Sequence, residues 1–194
     1  MEPARVVVLG LDLSARGAGA VAVPSDWGGD WSKIARLMSG EDLPAGAASA
    51  LRIGRLHRIA ADVVTFAGMH GCTTAVVEQY ALRMDPNNPG ATAQAHTLAE
   101  VGGVVKHQLV EKLGLITESV APASARKVLL GRVPQKGSKA FTLRALKMMG
   151  IPEDWTPDQK DAFVCANWAM SAIGGFALVT AEPVDGKRKR GRAA

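Results

Sequence analysis

The sequence predicts an α/β protein built on a mixed sheet, antiparallel strands first and parallel strands after them, flanked by helices. Three observations predict it. Residues 5–13 and 17–23 are apolar runs in close succession, the second reading as the hairpin partner of the first. The later short apolar segments, 73–78 and 115–120, are separated by a stretch with helical spacing, as parallel strands require. The last three periodic segments are all helical.

Taken in order, residues 5–13 end their apolar run in an acid and read as a strand buried on both faces. Residues 24–31 are turn-rich, and 33–38 are a candidate third strand. Residues 47–68 carry Leu51, Leu56, Ile59, Val63 and Phe66 at spacings of three to five, which predicts a helix. The strand 73–78 also ends in an acid. Two prolines and two asparagines predict a loop over 84–93. A long helix over 94–113 places Leu98, Val101, Val105, Leu109 and Leu113 on one side, and Gly114 ends it. Helices follow at about 122–130, 138–149 and 157–173. No internal repeat is present.

The chain has 194 residues, of which 47% are hydrophobic and 21% charged, so it suffices for one domain with its own core. Cys72 and Cys165 are the only thiols, which excludes a disulfide scaffold and suits a reducing, cytoplasmic setting. The N-terminus lacks the basic-then-apolar order of a secretory signal. The uncharged stretch 162–181 contains Asn167, Ser171 and Gly174-Gly175 and reads as a buried helix rather than a membrane span. Of the formal net charge of +5, +4 lies in residues 185–194, where Lys187, Arg188, Lys189, Arg190 and Arg192 oppose Asp185. The expected division is a domain over 1–184 and a basic, disordered tail over 185–194. Such a tail suits an anionic partner such as nucleic acid, and equally suits a solvated terminus.

Four acids stand where a core-forming sequence should not place them. Asp12 and Glu78 close buried strands, and Asp158 and Asp161 lie three residues apart on one face of the helix that begins at Pro157. A carboxylate at the end of a buried strand is costly unless paired or bound to a cation. A hard divalent cation bound by carboxylate oxygens, water and phosphate resolves the repulsion among several of them. Two such ions roughly 4 Å apart activate water and stabilise the leaving oxygen of a phosphoryl displacement. Taken singly, each acid has an ordinary reading: Asp158 suits the first helical turn, Asp161 a solvated face, Glu78 the start of a loop. The joint pattern carries the inference.

That pattern resembles the RuvC-type Holliday-junction resolvases of the ribonuclease H-like superfamily. The matching residues are Gly10-Leu11-Asp12 with Gly17 and Gly19, Val76-Val77-Glu78-Gln79, Ala99 to Gly103, Val128 to Gly131, and Asp158-x-x-Asp161-Ala162. The separations of 66 residues from Asp12 to Glu78 and 80 from Glu78 to Asp158 also fit. The resemblance spans about residues 5–173. It implies a ribonuclease H-like sheet, a homodimer, and a Mg²⁺-dependent endonuclease for which Mn²⁺ substitutes. Such an enzyme uses two ions per site, and its paired active sites nick strands of like polarity across a four-way junction, leaving 5′-phosphates. By position Asp12 would bridge the metals, and Glu78, Asp158 and Asp161 would complete their shells. Lys136 or Lys139 would hold the scissile phosphate. Tyr80 stands near the place of an aromatic that wedges into the junction, and Arg83 shares its loop as a DNA contact. The basic residues Lys187, Arg188, Lys189 and Arg190 would add phosphate contacts. The resemblance also implies that the apolar stripe of the 94–113 helix forms the dimer interface; the alternative is burial within its own chain.

The sequence departs from the family at Leu13-Ser14, where Pro-Gly is common, and in the distinctive loop after Glu78. Forks and flaps therefore stay open as substrates. A non-catalytic junction binder and a related nuclease acting on RNA are the alternatives. Gly131 to Lys139 lacks P-loop spacing, and 194 residues supply only one of the two domains that an actin-like ATPase needs. The histidines show no metal-ligand spacing. Trp27 and Trp31 read as a hydrophobic cap over the sheet, and Met148-Met149 as core.

Overall fold

A computed structural model describes residues 5–14, 16–44, 46–79, 89–131 and 138–172. Strands β1 (Val7–Leu13), β2 (Gly17–Pro24) and β3 (Ala35–Gly40) lead into helix α1 (Ser49–Met69). Strand β4 (Thr74–Glu78), helix α2 (Pro89–Leu113) and strand β5 (Ile116–Val120) follow, and then helices α3 (Pro122–Leu130), α4 (Ser138–Met148) and α5 (Pro157–Ala172). The five strands form one sheet in the order β3-β2-β1-β4-β5. The pairs β1–β2 and β2–β3 are antiparallel, while β1–β4 and β4–β5 are parallel. This is the predicted mixed sheet.

Both faces of the sheet are covered, and the period of two along each strand divides the core. Leu9, Leu11 and Leu13 of β1 and Ala75 and Val77 of β4 pack with Ile59, Val63, Val101, Val105 and Leu109 of α1 and α2. Val8 and Val76 point the other way, to α5 and the Trp27, Trp155 and Phe163 cluster. Trp27 is buried and meets Trp31 and Phe163 edge-on, and Trp31 meets Phe163 at a tilt, so these aromatics cap the sheet as expected.

Helix α5 lies directly on β1 and β2 because two glycines clear its path. A Cβ on Gly10 would overlap the carbonyl oxygen of Ala162 and stand 2.9 Å from Ala166 Cβ. A Cβ on Gly19 would stand 2.6 Å from the carbonyl carbon of Asp158. The helix start is fixed by a reciprocal cap: the Gln159 N–H donates to Thr156 Oγ1 at 3.2 Å, and the Thr156 N–H donates to Gln159 Oε1 at 3.1 Å.

Several expectations are corrected. The third strand runs Ala35–Gly40 and not 33–38, because Trp31–Lys33 forms a 3-10 turn capped by Asp30. Helix α2 begins at Pro89, inside the segment expected to be a loop; proline's fixed φ and missing N–H suit a first helical turn as well as a loop. Val101, Val105 and Leu109 of the α2 stripe are fully buried within their own chain, while Leu113 at its end is exposed. Met148 is exposed rather than core, while Met149 packs against the core. Among the described residues no helix is long and apolar enough to cross a membrane.

Candidate metal centre

Strand register brings the first two acids together. Asp12 follows Leu11, which pairs with Val77 of the parallel strand β4, so Asp12 and Glu78 emerge side by side at the carboxyl ends of adjacent strands. Both share the strand parity of Val8 and Val76 and therefore face α5. Across the antiparallel pair Asp12 stands opposite Gly19, the residue that admits the first turn of α5. Asp161 reaches the same point from α5. Carboxylate oxygens of Asp12, Glu78 and Asp161 all lie within 4.8 Å of one another.

Asp158 lies one turn earlier on α5, half-buried and outside that triplet, near enough for its charge to act on Asp12. Burial, then the charges of Glu78, Asp161 and Asp158, push Asp12 up from 3.8 to about 8. Glu78 is raised by burial and by Asp161, against the opposing pull of Arg126 and Lys139. The same burial and the same acids hold the Cys165 thiol well above its ordinary range.

Two cations answer the acids. Lys139 Nζ stands 3.0 Å from Asp161 Oδ2, and Arg126 Nη2 stands 3.8 Å from Asp161 Oδ1. Arg126 comes from α3 and also donates to Ser138 Oγ at 3.4 Å, tying α3 to the start of α4. Of the two candidate lysines, Lys139 is therefore at the site. Arg126 was not singled out from the sequence; no local pattern marks it, since its link to Asp161 is purely tertiary. Lys136, Tyr80, Arg83, Lys187, Arg188, Lys189 and Arg190 lie outside the described residues.

The donor set fits a hard cation. All three close ligands are carboxylates, their oxygens lie within 4.8 Å of one another, and Asp12 carries charge only at a cost that a cation would remove. A groove of about 290 Å³ opens beside Glu78, lined by Ala99, Gly102, Gly103, Lys106 and Ser119 among others. Lys106 Nζ donates to Ser119 Oγ there at 2.6 Å. The departure at Leu13-Ser14 also has a structural account: the Ser14 hydroxyl accepts the Gly17 N–H at 3.0 Å and turns the chain from β1 into β2.

With this geometry, comparison with solved structures becomes specific. RuvC of Thermus thermophilus in complex with a Holliday junction substrate superposes with a TM-score of 0.60 at 19% identity, covering 87% of this chain and 95% of that one. The chain has the RuvC fold. A second structure of Thermus thermophilus RuvC agrees, with a TM-score of 0.60, 19% identity, and coverage of 87% of this chain and 96% of that one. The yeast mitochondrial Holliday junction resolvase shares the RuvC arrangement more loosely, at a TM-score of 0.50 and 12% identity over 84% of this chain and 77% of its own. No protein-family model and no curated protein sequence matches the chain.

Proposed function

We propose that the protein is a metal-dependent, structure-selective endonuclease that resolves Holliday junctions and related branched DNA. The observation that carries this reading is the convergence of Asp12, Glu78 and Asp161 at the carboxyl ends of β1 and β4. In this reading these three acids and Asp158 hold two Mg²⁺ ions, for which Mn²⁺ substitutes. When bound, such ions activate water and stabilise the leaving oxygen of the phosphodiester.

The chain's own residues supply the rest. Asp12, together with Glu78 and Asp161, would hold the ions at the ends of the two strands. Arg126 and Lys139 bring positive charge to the phosphate side of the site. Lys136, Tyr80, Arg83 and the basic residues 187–190 extend the contact with DNA beyond the reacting centre. Residues 1–184 form the nuclease domain, and 185–194 add a sequence-independent grip on phosphate. A homodimer places two such sites on one junction, so that paired hydrolysis leaves 5′-phosphates. The buried free thiols Cys72 and Cys165 suit a cytoplasmic enzyme.

The test is a panel of labelled substrates, a four-way junction, a fork and a linear duplex, each with Mg²⁺ and with chelator. Metal-dependent nicks at symmetric positions in the junction support the proposal, and cleavage of forks as well widens the substrate class. Tight junction binding with no cleavage in Mg²⁺ or Mn²⁺ would replace it with an architectural role.

A further inference from the structure

We propose that Lys139 is a resident counter-cation for Asp161, which it releases to a divalent cation as its ammonium moves to the scissile phosphate. The inference rests on the metal-dependent reading above and adds an order of events to it. Lys139 Nζ holds Asp161 Oδ2 at 3.0 Å, and Asp161 belongs to the triplet whose oxygens lie within 4.8 Å of one another. A cation held by all three acids must therefore share the Asp161 carboxylate with an ammonium of like charge. Repulsion at that distance favours departure of whichever cation is freer to move.

The structure distinguishes the two basic residues in this respect. The Arg126 side chain is 17% exposed and is tied to Ser138, whereas the Lys139 side chain is 58% exposed on a flexible four-carbon stem. Its backbone is fixed at the second position of α4, so only the side chain has to swing. In the free protein Lys139 offsets the repulsion among the acids. With metal and DNA present it turns to the phosphate, and so metal and substrate favour each other's binding.

The experiment uses the full chain without DNA. Calorimetric titration with Mg²⁺ and Mn²⁺ compares the wild type with Lys139→Gln, which should bind either ion about fivefold more tightly because no ion pair must first be broken. Removal of any nearby positive charge also tightens binding, so a second readout follows the lysine itself. Lysine amines carrying ¹³C-methyl labels are observed by NMR, with the Lys139 signal assigned by its loss in the variant. That signal should move in step with Mg²⁺ binding. A signal that stays in place while calorimetry reports bound Mg²⁺ overturns the exchange and leaves the nuclease reading intact; unchanged or weaker metal binding by Lys139→Gln does the same. Failure of both proteins to bind either ion brings down the metal-dependent reading and the exchange with it.

Discussion

Gly10 and Ala162 touch backbone to backbone: a side chain on the first would overlap the carbonyl oxygen of the second. Ala162 follows Asp161 directly, and Gly10 lies two residues before Asp12 on the same face of β1. The separation of these two acids is thus set by the bare contact between strand and helix. Gly19 repeats the arrangement on β2 at Asp158.

Gly10→Ala should displace α5, since the obstructing atoms are backbone and Ala166 and cannot rotate away. The expected loss is about 1–3 kcal/mol of stability, with a larger proportional loss of nuclease activity in the protein that still folds. Thermal melts and cleavage rates check it. An unchanged melt would show that the helix moves freely on the sheet.

Asp12 makes the metal-free protein sensitive to pH. Its carboxyl has a value of about 8 when folded, against 3.8 as the ordinary value. Between these values the folded chain holds a proton that the unfolded chain has released, so stability falls as pH rises from about 4 to about 8 and is level above. Glu78, raised in the same sense, adds to the fall. In chelator, Asp12→Asn should flatten this profile and raise the melting temperature at pH 8 by at least about 3 °C. Melts from pH 4 to pH 9 decide it; a wild-type profile that rises with pH would contradict the burial of this charge.

The cap at Thr156 and Gln159 holds the start of α5, from which Asp158 and Asp161 project. Thr156→Ala should cost about 1 kcal/mol, a fall of about 2–4 °C in melting temperature. The substitution should also weaken divalent-ion binding by loosening the acids. Metal titration beside the melt separates the two effects.

The basic residues 187–190 predict a salt-sensitive contribution to DNA affinity that is indifferent to sequence. Truncation after Val184 should weaken junction binding and flatten the dependence of log Kd on log salt. An unaltered slope would remove the tail from the account.

Much of this centre was legible before the fold was known. Asp12 and Glu78 were visible because an acid that closes a buried strand breaks a strong local pattern, and the Asp158/Asp161 pair because helical spacing puts both on one face. The mixed sheet, antiparallel strands first, was legible from the close succession of the first two apolar runs; the strand order β3-β2-β1-β4-β5 was not, because it depends on tertiary pairing. Local signals failed where they serve two structures at once: Pro89 begins a helix as readily as it marks a loop. Arg126 was invisible because its meaning comes from Asp161, which is distant in sequence. The α2 stripe showed that an apolar face exists, but not which surface covers it; α1 and the sheet do. Thr156-x-x-Gln159 was readable as a cap and passed unnoticed beside the acids it positions.

The most direct test of the account is single-turnover cleavage of a 5′-labelled four-way junction by wild-type protein and by Asp12→Asn, at equal junction occupancy, in Mg²⁺ and in chelator. The account predicts nicks by the wild type in Mg²⁺ only, and a loss of more than about 100-fold in the variant with junction binding retained. Cleavage by Asp12→Asn at the wild-type rate would contradict it.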